Sequence, residues 1–317
     1  MEYPHLVERP AGHGDLRTWL HNHSDEVDEI LSEQGAMLFR GFGVGSAEEF
    51  HDLVTIPLGD LMQYIEGASP RAPLGGGVYT STEYSPELTV SMHNELSYSH
   101  QWPTRLAFFC KTPATTGGQT PIANSRKVFQ RITSNLAPPP SDVCYVRHMP
   151  EKRGPGVDWP TVFSTDDKNW IEGYCRTAGI HFAWLDDGSL RTSQVRPSAI
   201  KHPQTGEAVW FNQAHQWHPS NAGKEVEDML REAFGEELPM NARLGNDAEF
   251  DDTTLQIIRQ AYRDETIAFD WEVGDVMVID NMLSAHGRTP FTGQREVLVA
   301  MGKPIGLADV QRVDFGV

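Results

Sequence analysis

The segment Ser91-Met92-His93-Asn94-Glu95 places an imidazole and a carboxylate two positions apart. Side chains alternate along an extended strand, so His93 and Glu95 are expected on one face as two adjacent ligands for a single ion, with Met92 and Asn94 facing away. Far downstream, Val276-Met277-Val278-Ile279 leads through Asp280-Asn281 to His286-Gly287-Arg288, then to Pro290-Phe291, Gly293 and Arg295. This reads as a buried strand, a short connection, a histidine, a loop and a returning strand. Two histidines and one carboxylate make a facial set that leaves coordination positions open, the ligand pattern of non-haem Fe(II) centres. A structural zinc site closes its shell, whereas this pattern leaves room for a bidentate cosubstrate and dioxygen.

Thirteen histidines are present, and most need no functional explanation. His215 and His218 are three apart, but Pro219 ends any helix there and no acidic third ligand is near, so both read as pocket or packing residues. Cys110, Cys144 and Cys175 are too few and too scattered for a disulfide framework or a thiolate zinc site and read as buried apolar residues. Gly75-Gly76-Gly77 lacks the spacing of a dinucleotide fingerprint, and there is no phosphate-binding P-loop.

The elements that must position these residues are mostly short. Apolar runs at Ala36 to Phe39, Arg105 to Cys110, Gln119 to Ala123, Val143 to His148, Ile180 to Leu185, Val209 to Phe211, Val276 to Ile279 and Glu296 to Met301 have strand lengths. Helical patterns fall at Leu16 to Leu31, Ser125 to Ile132, Asp166 to Ala178, Glu225 to Phe234 and Asp252 to Tyr262. Residues 70–77, rich in Pro and Gly, read as a loop, and the acid-rich stretch 224–265 as a solvated helical face. Irregular alternation of this kind disfavours a doubly wound sheet. It predicts a mainly β fold with flanking helices, a sandwich or jelly roll, over one domain spanning 1–317.

The chain of 317 residues carries 26 basic and 44 acidic side chains, a formal charge of −18, which argues against a long electropositive nucleic-acid groove. Its longest apolar runs, Leu106 to Cys110 and Val297 to Met301, are five residues each, against about 20 for a membrane span. The start, Met1-Glu2-Tyr3-Pro4-His5, lacks the basic and apolar regions of a secretory signal. These features predict a cytoplasmic protein without nucleic-acid or membrane partners.

With Gly75 to Tyr84, His93-Asn94-Glu95-Leu96-Ser97-Tyr98-Ser99, Gly117-Gly118-Gln119-Thr120 and Trp210-Phe211-Asn212-Gln213-Ala214-His215 added to the late histidine, most of the chain resembles the TauD/TfdA type of Fe(II)/2-oxoglutarate dioxygenases. The resemblance implies a double-stranded β-helix (jelly-roll) core, with His93, Glu95 and His286 holding Fe(II). It implies that Thr120 and Arg295 bind the distal carboxylate of 2-oxoglutarate, a role suited to a planar, permanently charged guanidinium. Arg295 follows His286 by only nine positions, tighter than in the taurine enzyme, so Arg288 is a competing anchor. Glu stands where the taurine enzyme has Asp, and its presence argues against a halogenase, which leaves that position to chloride.

The expected reaction is oxidative decarboxylation of 2-oxoglutarate with dioxygen to succinate and carbon dioxide, coupled to oxidation, by default hydroxylation, of an unactivated C–H bond. For the small-molecule substrate, Tyr79, Thr82, Glu83, Ser97, Tyr98, Arg191, Arg196, Asn212 and Gln213 are candidate pocket residues, with Arg196 a candidate for a substrate carboxylate. The motif wording resembles the branch found with nonribosomal peptide pathways, which implies secondary metabolism and an amino acid, free or bound to a carrier protein. Two other readings use the same residues: a cupin-like metal-dependent hydrolase or isomerase, and a non-catalytic jelly-roll binding module.

Overall fold

The computed structural model describes residues 3–9, 14–69, 71–152 and 154–316. Met1 and Glu2 of the polar start and Pro70 of the Gly-rich stretch lie outside them.

The central strands of the large sheet, Ala36–Arg40, Val276–Asp280, Gln101–Thr112 and Glu296–Gly306, run side by side and antiparallel. Both faces of this sheet are covered, which is why its strands read as continuous apolar runs rather than alternating ones. Met37, Phe39, Ala107, Phe109, Val276, Val278, Leu298 and Ala300 pack outward against the N-terminal helices. Their neighbours Leu38, Leu106, Phe108, Met277, Ile279, Val297, Val299 and Met301 face inward, where Ile122 and Trp271 meet them.

Opposite lies a smaller sheet ordered Thr266–Ile267, Ile122–Asn124, Ser284–Arg288 and Val90–His93. The helices Ser125–Asn135 and Asp252–Glu265 cover its back through Val128, Ile132, Ile258, Ala261 and Tyr262. The two sheets form the jelly-roll core. A further antiparallel sheet of His181–Trp184, Leu190–Pro197, Asp142–Met149 and Met240–Leu244 stands beside it.

Three sequence expectations change. The single helix from Leu16 to Leu31 is two, Leu16–Asn22 and Ser24–Gln34, because His23 leaves helical geometry and its ring stacks on Trp19 at 4.3 Å. The Gly-rich stretch is no plain loop: Pro73–Gly75 pairs with Val78–Thr80 as an exposed edge hairpin, closed by Gly76 and Gly77 at φ +59° and +83°. The strand expected from Gln119 shrinks to Ile122–Asn124, since Pro121 has no donor and the Gln119 amide bonds Thr289 Oγ1. An additional helix, Ala47–Leu58, is capped by Ser46 and has Pro57 in its last turn. The three cysteines are buried and unpaired. No helix among the described residues is long and apolar enough to cross a membrane.

Candidate active site

His93 closes the Val90–His93 strand and His286 sits in the neighbouring Ser284–Arg288 strand, directly opposite it in antiparallel register. Their ring centroids are 4.4 Å apart. Glu95 Oε2 lies 3.7 Å from His286 Nε2, and ligand atoms of all three residues fall within 4.8 Å of one another. All three side chains are buried. His93 Nδ1 is 2.8 Å from the Ser91 carbonyl, so Nδ1 carries the proton and Nε2 is left as a donor atom. Burial, reinforced by the neighbouring His286, pushes the His93 pKa down to about 3, which keeps the ring neutral as a metal ligand requires. Burial opposes ionisation of Glu95, but Arg71 and the two histidines outweigh it and hold the carboxyl well below its ordinary range.

The route by which Glu95 arrives differs from strand alternation. The strand ends at His93, and the chain turns through Leu96 at φ +54°. Asn281 clamps this turn, accepting from the Glu95 amide at 2.7 Å and donating to the Glu95 and Pro103 carbonyls at 2.9 and 2.8 Å. Asn94 is buried beneath it, bonded to the Asn281 carbonyl and Ser125. Gln213 Nε2 donates to the Asn94 carbonyl at 2.8 Å.

On one side of this cluster lies a narrow cavity lined by Arg71, Ser81, Thr82, Phe108, Thr120, His286, Arg288 and Arg295 among others. Arg295 donates to the Gly118 carbonyl at 2.8 Å, to Ser81 Oγ at 3.1 Å and to Thr120 Oγ1 at 3.4 Å. Among the described residues no carboxylate pairs with it, and burial, together with the charge of Arg288, lowers its pKa to about 10. Gly118 is required here: it has φ +71°, and a Cβ would come within 3.0 Å of Arg295 Cδ. Thr120 Oγ1 also accepts from Trp271 Nε1 at 3.0 Å, which leaves its own proton for an incoming acceptor. Arg288 is engaged differently. Its guanidinium donates to the carbonyls of Thr82, Tyr84, Ser85 and Leu88, tying down that loop.

On the other side is a cavity of about 270 Å³ lined by Tyr64, Ser69, Thr82, Tyr84, Tyr98, Gln213, Trp217 and His218, with His93 and Glu95 in its wall. Of the candidate substrate residues, Thr82, Tyr98 and Gln213 line it. Tyr79 accepts from the Tyr64 amide behind it, Glu83 is bonded to Thr80, and Asn212 is locked between Ser198 and Ala214. Ser97 is buried without lining the cavity. Arg191 sits exposed in the Leu190–Pro197 strand. Arg196 does not reach the cavity either, because its guanidinium is spent on Gln194 Oε1 and the Val195 and Ala178 carbonyls. His215 packs on Tyr262, and His218 caps Ser220.

Sequence reasoning missed Arg71, whose Nη2 is 2.6 Å from Glu95 Oε2. Its only signal was a lone cation within a Pro- and Gly-rich stretch. It missed Asn281 as well, although Asp280-Asn281 at the end of a buried run marks polar groups that need partners.

Residues 4–301 match the model of the taurine catabolism dioxygenase TauD, TfdA family, and the chain belongs to that family. It is 36% identical over 282 residues, 88% of this chain and 85% of the relative, to the dapdiamide synthesis protein DdaC of Enterobacter agglomerans. It is 32% identical over 287 residues, 87% and 84% of the two chains, to a clavaminate synthase-like protein of Arabidopsis thaliana. Among solved structures, PvcB of Pseudomonas aeruginosa, described as an Fe, alpha-ketoglutarate dependent oxygenase from an isonitrile synthetic pathway, shares the fold with a TM-score of 0.52. That match is 13% identical and covers 97% of this chain and 87% of the other. The protein is therefore an Fe(II)- and 2-oxoglutarate-dependent dioxygenase acting with dioxygen on a small molecule. The hydrolase, isomerase and binding-module readings are set aside.

Proposed function

We propose that this chain, as one domain over residues 1–317, hydroxylates an unactivated C–H bond of an amino acid or an aminoacyl group on a carrier protein in the cytoplasm. The observation that carries this reading is the position of the His93, Glu95 and His286 cluster. It forms a wall between two cavities, one lined by Arg295, a half-buried guanidinium with no carboxylate partner among the described residues, and the other lined by aromatic and polar side chains.

The donor set fits ferrous iron: two buried imidazoles and one carboxylate converge from different strands and a turn. His93, Glu95 and His286 would hold the metal. When bound, iron with 2-oxoglutarate and dioxygen supplies the oxidative decarboxylation and the oxidant that removes hydrogen from the substrate. The rest is done by this chain. Arg295, with Thr120 and Ser81, binds the distal carboxylate and so sets how deeply the cosubstrate enters. Arg288 acts indirectly, by holding the loop that contributes Thr82 to both cavities. Tyr64, Tyr98 and Trp217 exclude water beside the metal cluster, and Thr82, Ser69 and Tyr84 offer polar groups to orient an amino acid.

The likeness to a dapdiamide synthesis protein and to a clavaminate synthase-like protein supports a substrate drawn from small-molecule biosynthesis. The test is a screen of free and carrier-bound amino acids for succinate release that depends on substrate and yields a product heavier by one oxygen atom. Turnover with one class identifies the substrate form. Absence of turnover with both refutes the amino-acid reading.

A further inference from the structure

Arg71 is a buried cation whose bonding is incomplete. Its side chain is 3% exposed, its Nη2 donates to Glu95 Oε2, and its guanidinium carbon lies 4.7 Å from the centre of the Tyr64 ring. The remaining donors, Nε and Nη1, are buried with no acceptor among the described residues. Leaving such groups unmet is costly, so a site that retains them is suited to an acceptor that arrives from outside.

The placement of Arg71 narrows the identity of that acceptor. It lines the narrow cavity that also contains Thr120 and Arg295, not the larger one. Arg295 bonds Ser81 and Thr120, whereas Arg71 bonds Glu95 of the metal cluster. Two guanidinium groups in the lining of one cavity, one bonded to Thr120 and the other to Glu95 of the metal cluster, match a ligand that carries two acid groups. A planar guanidinium can meet one carboxylate through two parallel bonds.

We propose that Arg71 binds the C1 carboxylate of 2-oxoglutarate beside the metal, orienting the keto-acid end of the cosubstrate while Arg295 holds the distal end. The inference rests on the dioxygenase reading above. Each arginine would then sense a different half of the same molecule, and the two halves can be separated chemically.

The experiment is an anaerobic titration of the Fe(II)-loaded protein, followed by its visible charge-transfer absorption, with 2-oxoglutarate and with 2-oxobutyrate, which lacks the distal carboxylate. Arg71→Gln should weaken both keto acids at least tenfold, whereas Arg295→Gln should weaken 2-oxoglutarate alone. Fe(II) affinity without keto acid, read by competition with a chelating dye, should not fall in Arg71→Gln, because removing a neighbouring cation does not disfavour a metal ion. Arg71→Lys keeps the charge without the planar fork and should weaken both keto acids by a smaller factor. The proposal is overturned if Arg71→Gln leaves 2-oxobutyrate binding unchanged, if Fe(II) affinity drops tenfold, or if Arg71→Lys binds 2-oxobutyrate as the wild type does. Absence of the absorption band in the wild type would instead refute the dioxygenase reading.

Discussion

His93 and His286 are cross-strand partners: they occupy facing positions of two antiparallel strands, with ring centroids 4.4 Å apart. Backbone pairing therefore joins ligands from distant parts of the chain. The ladder is irregular just after His286, and Gly287 lies there, where an added Cβ would be 2.6 Å from the Val90 carbonyl oxygen and 3.1 Å from Met92 Sδ. Gly287→Ala should force the strands apart, destabilising the fold by about 1–3 kcal/mol and weakening Fe(II) binding. Denaturant unfolding and metal titration of the variant check both effects.

Arg295 and Arg288 should separate by phenotype. Arg295→Ala is expected to raise the 2-oxoglutarate dissociation constant at least tenfold while sparing Fe(II). Arg288→Ala removes four bonds to backbone carbonyls, so it should instead destabilise the fold by about 2–4 kcal/mol, seen as a lower unfolding midpoint. A loss of cosubstrate affinity confined to Arg288→Ala would reverse the assignment.

Glu66 anchors the segment that forms one rim of the larger cavity. Burial raises its pKa, but hydrogen bonds from His100, Ser99, Tyr174 and Gln194 prevail and leave it below the ordinary value. Its carbonyl also accepts from Tyr98 and Arg147. Glu66→Ala should cost about 3 kcal/mol and raise the substrate KM while leaving Fe(II) affinity near wild type, as unfolding and steady-state kinetics would show.

His215 predicts an acid sensitivity. Burial, then the charge of Arg259, pushes its pKa down to about 3, whereas the unfolded chain takes up a proton near pH 6.5. The folded state thus binds fewer protons between these values, and the stability present above pH 6.5 is lost as pH falls toward 3. Between pH 7 and 5 this residue should account for about 2 kcal/mol of loss. His215→Gln should flatten that part of the pH profile, measurable by denaturant unfolding at each pH.

The parts legible in the sequence are those decided by local pattern. Leu106 to Cys110 and Val276 to Ile279 read as strands because they are buried on both faces, and His93, Glu95 and His286 stand out by residue type. What depended on distant contacts was hidden. Glu95 reaches the cluster through a turn that Asn281 clamps from elsewhere in the chain, and strand alternation does not describe it. Arg196 reads as a pocket cation, but Gln194 and the Ala178 carbonyl occupy its guanidinium. The Ala47–Leu58 helix was masked by Thr55-Ile56-Pro57, residues that disfavour a helix until packing of Phe50, Leu53 and Val54 overrides them.

The most direct measurement is an anaerobic absorption titration of the metal-free protein with Fe(II) and then 2-oxoglutarate. A visible charge-transfer band that saturates at one equivalent of iron is expected in the wild type, and no band in His93→Ala. A wild type that stays colourless, or a His93→Ala variant that keeps the band, would contradict this expectation.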